Sequence, residues 1–372
     1  MRKRIKFLIS LLLTLFVIYR VGGVIRENWS SYFAKYNFEA LKKVYLNSQY
    51  VSPHPSGWIP DEAVYSYAAG AYLKGVNPIL VNPEQPPLGK YILSLFILLF
   101  GREKLAILVF GVLTIILFFV LARMILDDVF WALCSVALLV WERIFLEQFI
   151  YVPLLDIFQL FFIFLSFICF LKALENSWFF PLATFTLGFV MAVKFWITGF
   201  LLALSYLFFL IFLLRDERKL FYFCLSLPLV FLPLVLSYFR LFQLGGNLRQ
   251  IFAIQKWIFL YHREKVSSPF SFWLLVLCNK WHIWWGNRGF IPSVQWQITW
   301  PVSIVGSLFV IILYFLKRKV FWGNLKIGVI LVFISVYLLF LSFVQISPRY
   351  LLPLLPFSHL SIVYGGEKIW RR

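Results

Sequence analysis

Acidic residues are scarce in this chain, and cysteine is scarcer still. There are 16 Asp and Glu residues and four cysteines among 372 residues. The cysteines are widely spaced and form no Cys-x-x-Cys pair, so the sequence predicts neither a zinc site nor a disulfide framework. It also lacks a glycine-rich phosphate loop of either common kind, which argues against a nucleotide-binding pocket.

Charge of either sign is low, and hydrophobic residues dominate. Charged residues make up 14% of the chain and hydrophobic residues 62%, against roughly 25% and 45–50% in soluble globular proteins. Only helices and closed barrels satisfy their backbone in lipid, and these long apolar runs lack the two-residue alternation of a barrel strand. The composition therefore predicts an all-α polytopic membrane protein, in one domain spanning residues 1–372.

Apolar runs of about 17–25 residues are long enough to cross a bilayer. The sequence predicts ten or eleven such spans, near 5–25, 88–101, 104–124, 129–148, 153–174, 178–196, 197–214, 219–240, 300–316, 325–345 and 349–365. The segment 178–214 is too long for one span, and is either two spans or one broken at Gly188 and Gly199. Because no small-x-small cleavage site follows the basic N-terminus, the first apolar run is predicted to remain as a helix.

Basic clusters at the ends of the apolar runs carry a large share of the net charge of +19. The clusters lie at residues 2–6, 215–219, 317–319 and 368–372. Basic flanks of this kind favour the cytoplasmic side, and they explain the charge without nucleic acid. The two long polar segments, 26–87 and 241–299, are then predicted to be extracytoplasmic loops on one face, as a shared active site requires.

The first of these loops contains a predicted helix that begins near Ile59 and ends at Lys74. Pro60, Asp61 and Glu62 supply N-terminal signals, and Gly75 supplies a stop signal. The tyrosine and alanine residues between them predict an amphipathic helix on the membrane surface. The two carboxylates suit the helix N-terminus, and they also suit a general base. These interpretations are compatible.

The same loop continues into Pro83-Glu84-Gln85-Pro86-Pro87-Leu88-Gly89-Lys90. The adjacent prolines end one element and permit a helix to begin after them. The segment is either a rigid start to a membrane helix or a binding segment. An acid and a lysine at the membrane surface suit a sugar and a phosphate head group.

These loop motifs resemble those of the dolichyl-phosphate-mannose protein O-mannosyltransferases and their prokaryotic relatives, which are membrane glycosyltransferases of the GT-C type. The resemblance continues in order down the chain, at Leu155-Asp156-Ile157-Phe158, Ala192-Val193-Lys194-Phe195-Trp196, Tyr261-His262, Ser268-Pro269-Phe270-Ser271 and Pro348-Arg349-Tyr350. The chain departs from the family pattern at Gln85, Tyr151 and Ser268, where the family has His, Arg and His.

The resemblance implies a GT-C fold in a prokaryotic cell membrane. It implies transfer of a mannose-like sugar from a polyprenyl or dolichyl phosphate to a hydroxyl of a protein, lipid or glycan. The transfer is expected on the extracytoplasmic face, by a single displacement that inverts the anomeric centre. Asp61 and Glu62 are then the catalytic candidates. The substrate-binding candidates are Glu84, Lys90, Asp156, Lys194, His262, Arg263, Arg349 and Tyr350.

Three alternatives stay open at this point. Lys194 is either a functional intramembrane charge or one half of a packing ion pair with Asp156. The loop carboxylates could hold a divalent cation, although the resemblance favours an enzyme without metal or other cofactor. The chain as a whole could be a lipid or polymer transporter or flippase, or a GT-C-like protein whose site has decayed.

Overall fold

The fold is helical almost throughout, and it confirms the predicted all-α membrane class. The computed structural model of the chain describes residues 3–54, 57–150, 153–194, 196–263, 269–282, 289–316 and 324–370. The strands in these ranges are β1 (Trp281–His282) and β2 (Phe290–Ile291), a short antiparallel pair in the second loop, and an isolated bridge joins Ser48 to Gly57 in the first loop.

The first half of the chain contains the first loop and the helices around it. The helices are α1 (Lys3–Glu27), α2 (Trp29–Phe33), α3 (Phe38–Leu46), α4 (Asp61–Leu73), α5 (Leu88–Phe100), α6 (Leu105–Ile125), α7 (Val129–Trp141), α8 (Arg143–Ile150) and α9 (Asp156–Glu175). Helix α9 is central to the bundle and packs against α6.

The second half contains the second loop and the remaining bundle helices. They are α10 (Phe180–Val193), α11 (Ile197–Phe208), α12 (Glu217–Ser226), α13 (Phe231–Ser237), α14 (Phe239–Gln243), α15 (Leu248–Arg263), α16 (Ser271–Cys278), α17 (Thr299–Leu316), α18 (Leu325–Phe343) and α19 (Leu355–Trp370). A π-helical segment, Phe209–Leu214, extends α11, and a 3-10 turn, Pro348–Leu351, precedes α19.

The number of full-length spans is smaller than the predicted ten or eleven. In the described ranges, seven helices are long and apolar enough to cross a membrane, and eight if α7 and α8, which meet at a bend of 63°, count as one span. The run 178–214 contains two helices, of which the first ends at Val193 and the second begins at Ile197. The predicted spans 178–196 and 349–365 correspond to shorter helices, of 14 and 16 residues.

The predicted span at 88–101 also corresponds to a shorter helix. Helix α5 has 13 residues and is therefore about 20 Å long, short of a hydrocarbon core of about 30 Å. Both of its ends contact the first loop. Near its start the Lys90 ammonium donates to the Asn82 carbonyl at 2.8 Å, and at its end the Tyr36 amide donates to the Gly101 carbonyl at 2.9 Å.

The two ends of the bundle differ in chemistry. At the end that we call the basic end, Lys6 pairs with Asp128 at 2.5 Å, Lys326 with Glu175 at 2.6 Å, and Lys368 with Asp127 at 3.7 Å. The opposite end carries the described residues of the segments 26–87 and 241–299, and we call it the loop end. Lys6 and Lys368, from two of the basic clusters, thus lie at the end opposite the described loop residues, as the charge pattern predicts.

Helix α4 has the predicted bounds but not the predicted environment. The amides of Ala63 and Val64 donate to the Pro60 carbonyl, so the helix begins at Asp61. Residues 64–72 are all buried, so α4 packs inside the protein rather than along a membrane surface. Gly70 is part of the reason, since a Cβ there would lie 1.9 Å from the Tyr36 hydroxyl.

Candidate active site

The break between α10 and α11 places a lysine at the loop end of the bundle. Helix α10 ends at Val193, and Lys194 has an extended backbone. Its ammonium forms an ion pair with Asp156, the first residue of α9. Both side chains are nearly buried, with 12% and 6% of their surface exposed. The ion pair proposed from the sequence therefore exists, because α9 and α10 pack side by side.

A second ion pair lies against the first. Arg349, in the 3-10 turn before α19, donates from Nη2 to Asp61 Oδ2 at 2.7 Å. Its Nη1 lies 3.9 Å from Asp156 Oδ2. The side chains of Asp61 and Arg349 are 42% and 33% exposed, so this pair is the open side of the group. We refer to Asp61, Asp156, Lys194 and Arg349 as the ion-pair cluster.

The cluster joins parts of the chain that are far apart in sequence. Asp61 and Arg349 are separated by 288 residues, and Asp156 and Lys194 by 38. Two carboxylates face two cations, so the group is formally neutral. Burial alone would lower the pKa of Arg349, but the Asp156 and Asp61 carboxylates outweigh it and raise that pKa. The guanidinium therefore keeps its charge.

Three tyrosines lie beside the cluster. Tyr65 follows Asp61 by one turn of α4, and Tyr350 follows Arg349. Burial, and then the Asp61 carboxylate, raise the pKa of Tyr65 well above its usual value, so this phenol stays protonated. The Tyr337 hydroxyl donates to the Tyr350 carbonyl at 3.3 Å and supports the turn that carries Arg349.

Lys90 stands apart from this cluster. Its side chain is fully buried, and its ammonium donates to the Asn82 carbonyl, the Asn82 side chain and the Gln85 carbonyl, at 2.8, 3.2 and 2.9 Å. An ammonium has three N–H donors, and all three are used. These contacts hold the 82–87 segment in place, and binding of the donor phosphate by Lys90 stays a prediction.

The other predicted site residues divide into two groups. Glu84 is buried beside Lys90, and Glu62 is half-buried at the start of α4. No ion pair within the described ranges joins either carboxylate to the cluster. His262 and Arg263 end α15, but their side chains lie outside the described part of the chain, as do Tyr151 and Ser268 entirely.

The described residues contain no group of three or more His, Cys, Asp or Glu side chains placed to hold a metal ion. Both carboxylates of the cluster, Asp61 and Asp156, instead face the Arg349 guanidinium. The arrangement suits binding of an anion by Arg349 and Lys194, with a carboxylate close by.

Two residues beside the cluster, Tyr65 and Tyr337, were not among the candidates from the sequence. The proximity of Tyr65 to Asp61 could have been predicted, because the two residues are four positions apart and so share a helix face. Tyr337 lies within an apolar run, where nothing in the local pattern separates it from residues that only pack.

Comparison with known proteins identifies the fold. ArnT from Cupriavidus metallidurans in its apo state has a TM-score of 0.58 at 16% identity, over 83% of this chain and 55% of that one. The same protein bound to undecaprenyl phosphate gives 0.55 at 15% identity, with the same coverage. The Archaeoglobus fulgidus oligosaccharyltransferase, tethered to an acceptor peptide, gives 0.52 at 14% identity, over 100% of this chain and 50% of that one.

No protein-family model and no curated protein matches the chain. The chain spans about half the length of the solved structures it resembles. Identities of 14–16% establish a common architecture rather than a common activity. These likenesses show the fold alone, which is an all-α polytopic membrane fold like that of these two GT-C glycosyltransferases.

Proposed function

We propose that this chain is a membrane glycosyltransferase that uses a sugar linked to a polyprenyl phosphate. The observation that supports the proposal most directly is the ion-pair cluster, which presents a partly exposed guanidinium beside a carboxylate at the loop end. A structural relative was solved with undecaprenyl phosphate bound, which agrees with a lipid-phosphate donor. The sugar to test first is a mannose-like hexose, since the loop motifs resemble those of mannosyltransferases.

In the proposed reaction, the acceptor hydroxyl oxygen attacks the anomeric carbon of the donor. The bond from that carbon to the phosphate oxygen breaks, and the lipid phosphate leaves with the electron pair. Asp61 takes the hydroxyl proton as general base, and a single displacement inverts the anomeric centre. The acceptor belongs to a protein, a lipid or a glycan.

Arg349 and Lys194 are proposed to stabilise the leaving phosphate. The donor is a phosphodiester with one negative charge, whereas a phosphate monoester carries about −1.5 to −2 at neutral pH. Negative charge therefore grows on the phosphate during transfer, and fixed cations stabilise this growth more than they stabilise the ground state. A guanidinium is suited to this because it contacts two phosphate oxygens at once.

Asp61 is already paired with Arg349, so the donor phosphate competes with the Asp61 carboxylate for the guanidinium. Binding of the phosphate to Arg349 would release Asp61 from its ion pair. The carboxylate would then be free to accept a proton next to the bound donor. The reaction needs no metal in this scheme, and Glu62 and Glu84 are left to orient sugar hydroxyls.

The test is sugar transfer in membranes supplied with a radiolabelled polyprenyl-phosphate sugar. We expect the wild-type chain to label an acceptor and Asp61→Asn at equal expression to lose at least about a hundredfold of that activity. Asp127→Asn, at the basic end, is the matched control and should transfer normally. Full activity in Asp61→Asn would reject the assigned base. No transfer by folded wild-type protein with suitable donors would favour the transporter or decayed-site alternatives.

A further inference from the structure

A cavity of about 510 Å³ opens at the end of α4 that is remote from Asp61. Its walls come from the end of α4, the start of α5, and from α10, α13 and α14. Most of the lining is apolar or aromatic, including Leu88, Tyr91, Phe185, Phe189 and Leu236. The one charged residue of this lining is Arg240, in α14. We call this cavity the Arg240 groove.

Arg240 is fixed in position by the first loop. Its Nε donates to the Gly75 carbonyl at 3.2 Å, and its Nη1 donates to Gln243 Oε1 at 2.9 Å. Gly75 has a φ of +86°, and a Cβ on it would lie 2.2 Å from Arg240 Nη2. Glycine at this position therefore both forms the turn after α4 and makes room for the guanidinium.

The Arg240 guanidinium keeps donors for a ligand. It has five N–H donors, and the hydrogen bonds to Gly75 and Gln243 use two of them, which leaves three. Within the described ranges no Asp or Glu side chain forms an ion pair with it. A cation beside an apolar groove, with no acidic partner, is complementary to a molecule that combines a hydrocarbon chain with an anionic group.

The groove is separate from the ion-pair cluster. Helix α4 has 13 residues and is therefore about 18 Å long between its first and last residues. Asp61 starts the helix, whereas Tyr72, Leu73 and Gly75 contribute to the groove at its other end. A sugar donor whose phosphate sat on Arg240 would hold its anomeric carbon far from Asp61.

We propose that the Arg240 groove binds an anionic phospholipid, with one acyl chain along its aromatic wall and the phosphate on the Arg240 guanidinium. The lipid would tie α14, which starts the second loop, to the turn after α4 in the first loop. This site is independent of the proposed transfer reaction, since it uses no residue of the ion-pair cluster.

The experiment is native mass spectrometry of the full chain in detergent, with three lipids added separately. They are phosphatidylglycerol, phosphatidylcholine with the same acyl chains, and undecaprenyl phosphate. We expect wild-type protein to retain phosphatidylglycerol several-fold better than phosphatidylcholine. Arg240→Gln should lower phosphatidylglycerol retention about tenfold, the order of effect of a charge-assisted hydrogen bond.

Two further variants test the groove itself. Leu236→Trp fills the groove without changing charge and should lower retention of both phospholipids. Arg249→Gln removes an exposed cation of α15 and should leave retention unchanged. If Arg240→Gln fails to fold, the comparison of Leu236→Trp with Arg249→Gln decides the question.

Two results would overturn the proposal. One is phosphatidylglycerol retention that is equal in wild-type protein, Arg240→Gln and Leu236→Trp. The other is displacement of phosphatidylglycerol from wild-type protein by undecaprenyl phosphate, with loss of undecaprenyl phosphate binding in Arg240→Gln. The second result would assign the groove to a polyprenyl lipid instead.

Discussion

Arg349 contacts two carboxylates at once, and the proposed chemistry depends on which anion it holds. Asp61 binds its outer side at 2.7 Å, and Asp156 approaches at 3.9 Å from the inner side. Asp156 also pairs with Lys194, so two cations hold it. Among the ion pairs of the described residues, Asp61 has one partner, Arg349. Asp61 is therefore the carboxylate that an incoming phosphate would displace.

This arrangement predicts opposite effects of two substitutions on binding of undecaprenyl phosphate. Asp61→Asn should tighten binding several-fold, because it removes the anion that competes for Arg349. Arg349→Gln should weaken it about tenfold, as expected for loss of a charge-assisted hydrogen bond. Titration of purified protein with the lipid measures both, and Asp127→Asn is the control. Weaker binding by Asp61→Asn would contradict the competition.

The buried pair of Asp156 and Lys194 predicts non-additive effects on stability. Either Asp156→Asn or Lys194→Met alone leaves a nearly buried charge without its main partner, which costs about 3 kcal/mol of unfolding free energy. The double variant removes both charges and should recover most of that loss, as measured by thermal unfolding in detergent. If the recovered double variant still transfers sugar, Lys194 has only a packing role. If it folds without transferring, the ammonium takes part in the site.

At the scale of single elements, α4 is held by a polar contact to the turn between α5 and α6. The Ser66 hydroxyl donates to Glu103 Oε1 at 3.0 Å, and the Tyr36 hydroxyl donates to the Ser66 carbonyl at 3.0 Å. Glu103 is buried, with 6% of its surface exposed. These contacts join the first loop to the start of the bundle, and they fix the helix that begins at Asp61.

Burial raises the pKa of Glu103 above its usual value, and this predicts a pH dependence of stability. Folding favours the protonated carboxyl. Its contribution to the free energy of unfolding is therefore fully present below the unfolded pKa, and it is lost as pH rises through the folded pKa. Glu103→Gln lacks this titration. The apparent Tm of the wild type should therefore fall relative to that of Glu103→Gln between pH 4.5 and pH 8. Parallel curves across that range would contradict the prediction.

The bend between α7 and α8 is held by a buried polar group. Glu142 lies at the bend, accepts from Trp300 Nε1 at 2.8 Å, and approaches His359 Nε2 at 3.0 Å. The other nitrogen of His359 lies 2.8 Å from the Ser303 hydroxyl. The side chains of Glu142, Trp300 and His359 therefore link the bend to α17 and to α19. Helix α19 is the one that follows Arg349.

Trp300→Phe should destabilise the protein by about 1–3 kcal/mol, because it leaves the buried Glu142 carboxylate without this donor. The measurement is thermal unfolding in detergent at a fixed scan rate. Trp178→Phe is the matched control, since Trp178 is 86% exposed. Equal midpoints for Trp300→Phe and this control would show that the indole hydrogen bond does not stabilise the bend.

At the scale of the whole molecule, the separation of loops and basic clusters predicts the orientation in the membrane. Single cysteines at His54 and Val294, both exposed at the loop end, should react with an impermeant reagent in intact cells. A cysteine at Arg218, in the first turn of α12, should react only after the cells are opened. The background should lack Cys224 and Cys278, which are exposed. The reverse labelling pattern would invert the topology.

Much of the architecture could be predicted from local sequence patterns. Apolar run lengths and composition identified the helical membrane class, because the bilayer dictates both. Pro60, Asp61 and Gly75 correctly marked the ends of α4, since helix termini are set by nearby residues. The short length of the helix at 88–101 was not predicted, because composition alone does not separate a full span from a short apolar helix that packs against a loop.

The site itself depended on tertiary structure. The ten candidates from the sequence include Asp61, Asp156, Lys194 and Arg349, but no local pattern shows that Arg349 meets Asp61 across 288 residues. No local pattern shows that Lys90 donates all three of its hydrogen bonds to the first loop. Residue type and spacing fix which groups are available and which helices they start or end. Only the packing of those helices decides which charges meet, because each ionised group near lipid must find its partner in three dimensions.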